Sequence, residues 1–243
     1  MEIAKLLEDL PVRSKRAVAH YWRTRATQAD KQKLSGTSDQ GSRGATTGGA
    51  QMDEFLGLLA HYLEAIGIPR HALHFHQRLE LPGYFRPTKK WDLLVVLDHH
   101  LIAGLETKSQ VGSFGNNFNN RTEEAMGSAL DLWTAHREGA FGSGLAPWLG
   151  YLFLLQDCPA SQKPVRTDEP HFKVFPEFKN ASYAQRYEIF CRKLVRERHY
   201  TASAFLLADV ETGPAGAFTE PAPDLALTGF VTSLLNHARN YIR

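Results

Sequence analysis

Lys90-Trp91-Asp92-Leu93-Leu94-Val95-Val96-Leu97-Asp98-His99-His100-Leu101-Ile102-Ala103-Gly104-Leu105-Glu106-Thr107-Lys108 divides into three parts. Residues 91–97 form an apolar run of strand length, interrupted only by Asp92. Residues 98–100 read as a polar turn, and 101–108 as the returning strand of a hairpin. With a three-residue turn Leu97 faces Leu101, and counting back along the ladder brings Asp92 opposite Glu106. Directly opposed residues of an antiparallel pair have Cβ atoms roughly 5 Å apart, near enough for two carboxylates to hold one divalent ion. Lys108, two residues beyond Glu106, shares its face.

Two acids at the end of an apolar hairpin repel one another and lose hydration, so a cation must compensate them, and Lys108 alone leaves one charge over. Hard carboxylate oxygens suit Mg²⁺, which keeps several waters and takes one or two carboxylates plus substrate phosphate. Asp92 and Glu106 are the candidate ligands, with the Thr107 backbone carbonyl as a third. Lys108 is placed to orient an attacking water or to neutralise charge developing on phosphorus. An Asp followed at a distance by Glu-x-Lys resembles the metal site of the PD-(D/E)xK nucleases. Alone the pattern is short, and a solvated strand end with a surface salt bridge would produce it too.

The flanking sequence is more specific. Leu81-Pro82-Gly83-Tyr84-Phe85-Arg86-Pro87-Thr88-Lys89-Lys90-Trp91-Asp92 and Ser113-Phe114-Gly115-Asn116-Asn117-Phe118-Asn119-Asn120-Arg121 resemble the XhoI family of type II restriction endonucleases. So do His171-Phe172-Lys173-Val174-Phe175-Pro176-Glu177-Phe178-Lys179 and Tyr187-Glu188-Ile189-Phe190-Cys191-Arg192-Lys193-Leu194. The resemblance runs from about Met52 to about Leu194. It implies a restriction-endonuclease-like α/β fold, a mixed β-sheet core flanked by helices. It also implies a homodimer that cleaves double-stranded DNA within the palindrome CTCGAG, with Mg²⁺ as cofactor. Such an enzyme works beside a cognate DNA methyltransferase without a stable complex between them.

A chain of 243 residues is long enough for one well-buried domain. The expected division is an N-terminal helical region (1–34), a Gly/Ser/Thr loop (35–50) and a nuclease domain (51–243), forming one catalytic unit. Lys and Arg total 28 against 26 Asp and Glu, so net charge does not by itself suggest a nucleic-acid partner, and basic residues must cluster if DNA binds. Cys158 and Cys191 are far apart and lack metal-ligand spacing, which fits reduced thiols in a cytoplasmic protein. No run is long enough to span a membrane, and the first residues lack a signal-peptide pattern.

Along the chain, residues 2–34 read as two helices divided at Pro11, the second rich in Arg and Lys. That helix is either a DNA-backbone or dimer element or a solvated face. Ser35–Ala50 is too polar and Gly-rich for core, and Arg43 would be its groove contact if DNA orders it. Gln51–Ile66 is helical, with Asp53 and Glu54 in its first turn. Those acids complement the helix dipole, or one of them, Asp53 first, serves the metal site as an accessory acid. Leu73–Leu81 alternates as a strand carrying His74 and His76. Zinc is rejected there for want of a Cys or acidic third ligand.

Arg86, Lys89 and Lys90, between Pro82 and the hairpin, are candidate phosphate contacts. Ser109–Asn120 reads as a loop in which Asn116, Asn117, Asn119 and Asn120 are candidate base contacts, with Arg121 beside them; turn chemistry is the alternative. A helix follows from Arg121 to Glu138, and Pro147–Leu155 is an interior strand. Arg166 lies in a loop that either recognises guanine, contacts phosphate or is simply solvated. Tyr183–Arg198 reads as a helix bearing the strongest local basic patch, Phe205–Ala208 as a short strand, and Asp224 as the N-cap of a last helix. Two other functional classes carry over from the same residues. A structure-selective repair or junction nuclease would share the metal site, and a silent DNA-binding module would have no use for Asp, Glu and Lys together.

Overall fold

The computed structural model describes residues 2–34, 50–142 and 144–242. Its centre is a five-stranded mixed sheet in the order β1 (Leu73–His74), β4 (Leu93–Leu97), β5 (His100–Gln110), β6 (Trp148–Gln156) and β7 (Ala202–Ala208). β4 is antiparallel to both of its neighbours, whereas β5, β6 and β7 run parallel. Parallel neighbours need long crossovers, supplied by helix α4 (Phe114–Arg137) between β5 and β6 and by α6 (Tyr183–Arg196) between β6 and β7. The short α5 (Pro159–Gln162) precedes α6. Among the described residues no helix is long and apolar enough to cross a membrane.

Strand alternation sends side chains to two cores. On one face Leu93, Val95, Leu105, Leu152 and Leu206 meet the N-terminal helices and α7 (Leu227–Ala238). The N-terminal helices are α1 (Ile3–Leu6), α2 (Leu10–Leu34) and α3 (Asp53–Ala65). Pro11 stands at the second residue of α2, after a turn of 3₁₀ helix at Leu7–Asp9. On the other face Leu94, Tyr151, Phe153 and Phe205 pack against Ala125, Ala129 and Leu132 of α4 and Tyr187, Phe190 and Leu194 of α6. The result is a helix–sheet–helix sandwich with β5 at its centre.

The hairpin differs from its expected form in an instructive way. Its turn has two residues, Asp98 and His99, with φ of 48° and 62°. Both central residues of a type I′ hairpin turn require positive φ. Leu97 therefore pairs with His100, one position off the expected partner. A bulge between Val95 and Val96 then takes up the extra residue, so that Leu93 pairs with Leu105, the last pair before Asp92.

Three other expectations are corrected. The strand expected over Leu73–Leu81 is broken: only Leu73–His74 joins the main sheet, while β2 (Glu80–Pro82) pairs with β3 (Thr88–Lys90) in a separate two-stranded sheet. The supposed loop over Ser109–Asn120 is mostly regular, since β5 runs to Gln110 and α4 starts at Phe114. Asn and Gly are poor helix formers, but Phe114 stacks on Tyr183 and Phe118 meets Tyr187 edge-on, and this two-step packing against α6 overrides local preference. Asp224 does not cap the last helix, whose N-cap is Ala226; its carboxylate instead takes Arg192 at 2.7 Å.

Candidate active site

Glu106 sits on the α4 side of β5, 4% exposed, in register with Tyr151 of β6. Each of its oxygens meets a different ammonium: Lys108 Nζ lies 2.7 Å from Oε1 and Lys89 Nζ 2.7 Å from Oε2. Burial pushes the Glu106 carboxyl upward, but Lys108 and then Lys89 outweigh it and hold it below the usual carboxylate range. Burial likewise works against a charged Lys108, yet Glu106, helped by Asp92, holds its ammonium above the ordinary lysine range. Both groups are therefore ionised at neutral pH, and Lys108 acts here as a fixed positive donor. Opposite, Asp92 Oδ2 accepts from the Thr107 backbone N–H at 2.6 Å and from the Thr107 hydroxyl at 3.0 Å. The Asp92 N–H closes the ladder on Leu105 O at 3.1 Å.

Asp92, Thr107 and Lys108 line a cavity of about 550 Å³ with Asp53, Lys90 and Arg121. His76 lines it too. The donor set suits a hard divalent ion. Glu106 Oε2 is fully buried against the Lys89 ammonium at 2.7 Å, and a carboxylate oxygen that holds one cation still has a lone pair for another. Among the described residues no three His, Cys, Asp or Glu side chains gather into a complete cage, but Mg²⁺ needs only one or two carboxylates and completes its shell with water and phosphate.

The other candidates separate by environment. Asp53 stands at the start of α3 and faces the cavity, whereas Glu54 turns away to Arg16, 2.6 Å distant. Lys90 and Arg121 reach the cavity, Arg121 also donating to Glu124 at 2.8 Å. Arg86 is drawn off instead to Asp131 of α4, at 2.6 Å. Asn116, Asn119 and Asn120 are exposed along the first turns of α4, while the Asn117 amide donates back to Ser113 O at 2.9 Å. Arg166 is 90% exposed, 3.9 Å from Asp168. Arg43 lies outside the described residues.

The basic face expected on α6 is largely consumed by partners. Arg186 donates to Ala181 O and Val165 O, Arg192 is bound by Glu188 and Asp224, and Lys193 by Glu177. Sequence reading missed His76 as a cavity residue and Lys89 as a partner of Glu106. The first lies beyond the end of a strand that proved shorter than expected. The second follows from the β2–β3 pairing, whose only local signal is the Pro82-Gly83…Pro87 bracket.

Comparison with known proteins places these residues in context. The family model described as restriction endonuclease XhoI matches residues 31–220. The type II restriction enzyme BstVI of Geobacillus stearothermophilus is 56% identical over 211 residues, 84% of this chain and 94% of that one. The type II restriction enzyme XhoI of Xanthomonas vasicola is 48% identical over 183 residues, 73% of this chain and 72% of its own. The type II restriction enzyme AbrI of Azospirillum brasilense is 48% identical over 169 residues, covering 69% and 76%. No solved structure matches significantly.

Proposed function

This chain belongs to the XhoI restriction endonuclease family, the type II site-specific deoxyribonucleases, and from that membership we propose Mg²⁺-dependent hydrolysis of duplex DNA at CTCGAG. The observation that carries the chemistry is the joint placement of Asp92, Glu106 and Lys108 at one end of the β4–β5 hairpin, beside a cavity.

Asp92 and Glu106 would hold the ion, with the Thr107 carbonyl as a third ligand and Asp53 as an accessory acid within the same cavity. When bound, the ion supplies Lewis-acid stabilisation of charge on the phosphate and on the leaving oxygen. Thr107 fixes the Asp92 carboxylate through two donors. Lys108, kept charged by Glu106, orients the attacking water and offsets negative charge building on phosphorus. In-line attack breaks the bond to the 3′ oxygen, leaving a 5′ phosphate and a 3′ hydroxyl. Lys90 and Arg121 line the cavity as phosphate contacts, and Asn116, Asn119 and Asn120 stand on the exposed face of α4 as base contacts.

A palindrome is read by two copies of one surface related by a two-fold axis, so the active form is a homodimer. A cognate methyltransferase protects the host's own sites without forming a stable complex. The test is digestion of a mapped plasmid with and without Mg²⁺. Fragments ending at CTCGAG only in Mg²⁺ support the assignment, whereas equal digestion of duplex lacking that site indicates a structure-selective nuclease.

A further inference from the structure

Glu106 carries one cation more than its mechanism uses. Lys108 on Oε1 belongs to the Glu-x-Lys pattern, but Lys89 on Oε2 comes from β3, which belongs to the small two-stranded sheet and not to the strands bearing Asp92 and Glu106. Its side chain is only 12% exposed, so the contact is not an incidental surface pair. The oxygen it covers is fully buried, and it is the same oxygen that suits a metal. Resting on the reading of Glu106 as a metal ligand, we propose that Lys89 is a displaceable counter-ion. It holds Glu106 Oε2 before the divalent ion arrives, competes with that ion, and becomes available to the DNA backbone once displaced.

Three physical points support this role. A carboxylate buried to this depth is costly unless compensated, so something must cover Oε2 in the metal-free enzyme. A divalent ion and an ammonium at the same oxygen repel strongly in a poorly hydrated site, so the lysine withdraws when the ion binds. The ammonium is also held by something other than Glu106, because in the same position Nζ lies 4.3 Å from the centre of the Trp91 ring, and that attraction to the indole face does not depend on the carboxylate. Lys89, Lys108, Asp92 and Glu106 together are neutral. A divalent ion entering alone leaves an excess of positive charge, which DNA phosphates relieve. Metal and DNA should therefore bind cooperatively, with Lys89 as the coupling group.

The test is calorimetric titration of Ca²⁺ into metal-free protein, with and without a CTCGAG duplex, for wild type, Lys89→Met, Lys89→Arg and Glu106→Gln. Met keeps most of the stem that lies on Trp91. Lys89→Met should bind Ca²⁺ at least about tenfold more tightly without DNA, and the gain in affinity on adding DNA should shrink. Lys89→Arg should stay near wild type, and Glu106→Gln should lose Ca²⁺ binding. If Lys89→Met binds Ca²⁺ no more tightly than wild type while Glu106→Gln loses it, Lys89 is not a competitor and the proposal falls. If Glu106→Gln binds as wild type does, the metal-ligand reading of Glu106 falls first. Should Lys89→Met be unfolded without metal, recovery of its fold on adding Ca²⁺ supports the counter-ion role, and failure to recover overturns it.

Discussion

Thr107 is joined to Asp92 twice, its backbone N–H and its hydroxyl both donating to Oδ2, at 2.6 and 3.0 Å. The residue between the two members of the Glu-x-Lys pattern thus holds the other acid, Asp92, across the hairpin. A backbone donor cannot be removed by substitution, but the hydroxyl can.

Thr107→Val keeps the volume and removes only that hydroxyl. A hydrogen bond to a charged acceptor contributes about 1.5 to 3 kcal/mol, so single-turnover cleavage should fall roughly tenfold or more, and Thr107→Ser should restore most of it. The unfolding midpoint of Thr107→Val should fall by no more than this one bond contributes, because Asp92 keeps its backbone donor, and that of Thr107→Ser should stay near wild type.

Asp131 organises the tip of the β2–β3 hairpin. It accepts from the Tyr84 and Phe85 N–H groups, each at 2.8 Å, and from Arg86 at 2.6 Å. Asp131→Asn should destabilise by about 2 kcal/mol, discounted for the partial exposure of Arg86. Gly83→Ala should disturb the same tip, since an added Cβ would lie 2.5 Å from Asp131 Oδ2 and 2.8 Å from the Arg86 carbonyl. Urea unfolding of each variant measures both effects.

That network also sets a pH dependence. Burial raises the Asp131 carboxyl, but Arg86 and the two backbone donors outweigh it and hold it below the aspartate range. A carboxyl depressed by folding contributes stability that is present above its unfolded value, about 4, and is lost as pH falls through the folded value. The stability gap between wild type and Asp131→Asn should be full at pH 7 and should narrow progressively below pH 4.

The hairpin that carries the site was legible because alternation and charge placement in residues 91–108 admit few registers. The expected register brought Asp92 close to the Glu106–Lys108 stretch from the wrong turn: its N–H meets Leu105 O and its carboxylate meets Thr107. Nothing in Val95-Val96 announces a bulge, and a two-residue turn with positive φ at Asp98 and His99 reads much like a three-residue one. The start of α4 was illegible for another reason. Asn116 to Asn120 are turn-forming residues held helical by Phe114 and Phe118 packing on α6, a cause that exists only once the chain has folded. The basic residues of α6 failed in the same manner, since Arg192 and Lys193 find acids distant in sequence.

The helical setting of the asparagines sharpens the specificity experiment. Asn116 and Asn120, one helical turn apart and exposed, should each cost about 1 to 3 kcal/mol of cognate affinity on change to Ala, with little effect on non-cognate duplex. Asn117→Ala should cost less, because its amide is already committed to Ser113 O. Equal losses on cognate and non-cognate DNA would make this face a backbone contact instead.

The most direct measurement of the central claim is single-turnover cleavage of a CTCGAG duplex in Mg²⁺ by wild type, Asp92→Asn, Glu106→Gln and Lys108→Met, alongside duplex affinity in Ca²⁺. Ca²⁺ accepts the same oxygen ligands but acidifies bound water less, so it separates binding from hydrolysis. All three variants should lose cleavage by at least about a thousandfold, a transition-state loss of about 4 kcal/mol. Lys108→Met should still bind the duplex in Ca²⁺ within a few fold of wild type. Cleavage by any one of the three within about tenfold of wild type would contradict the assignment of that hairpin end as the catalytic centre.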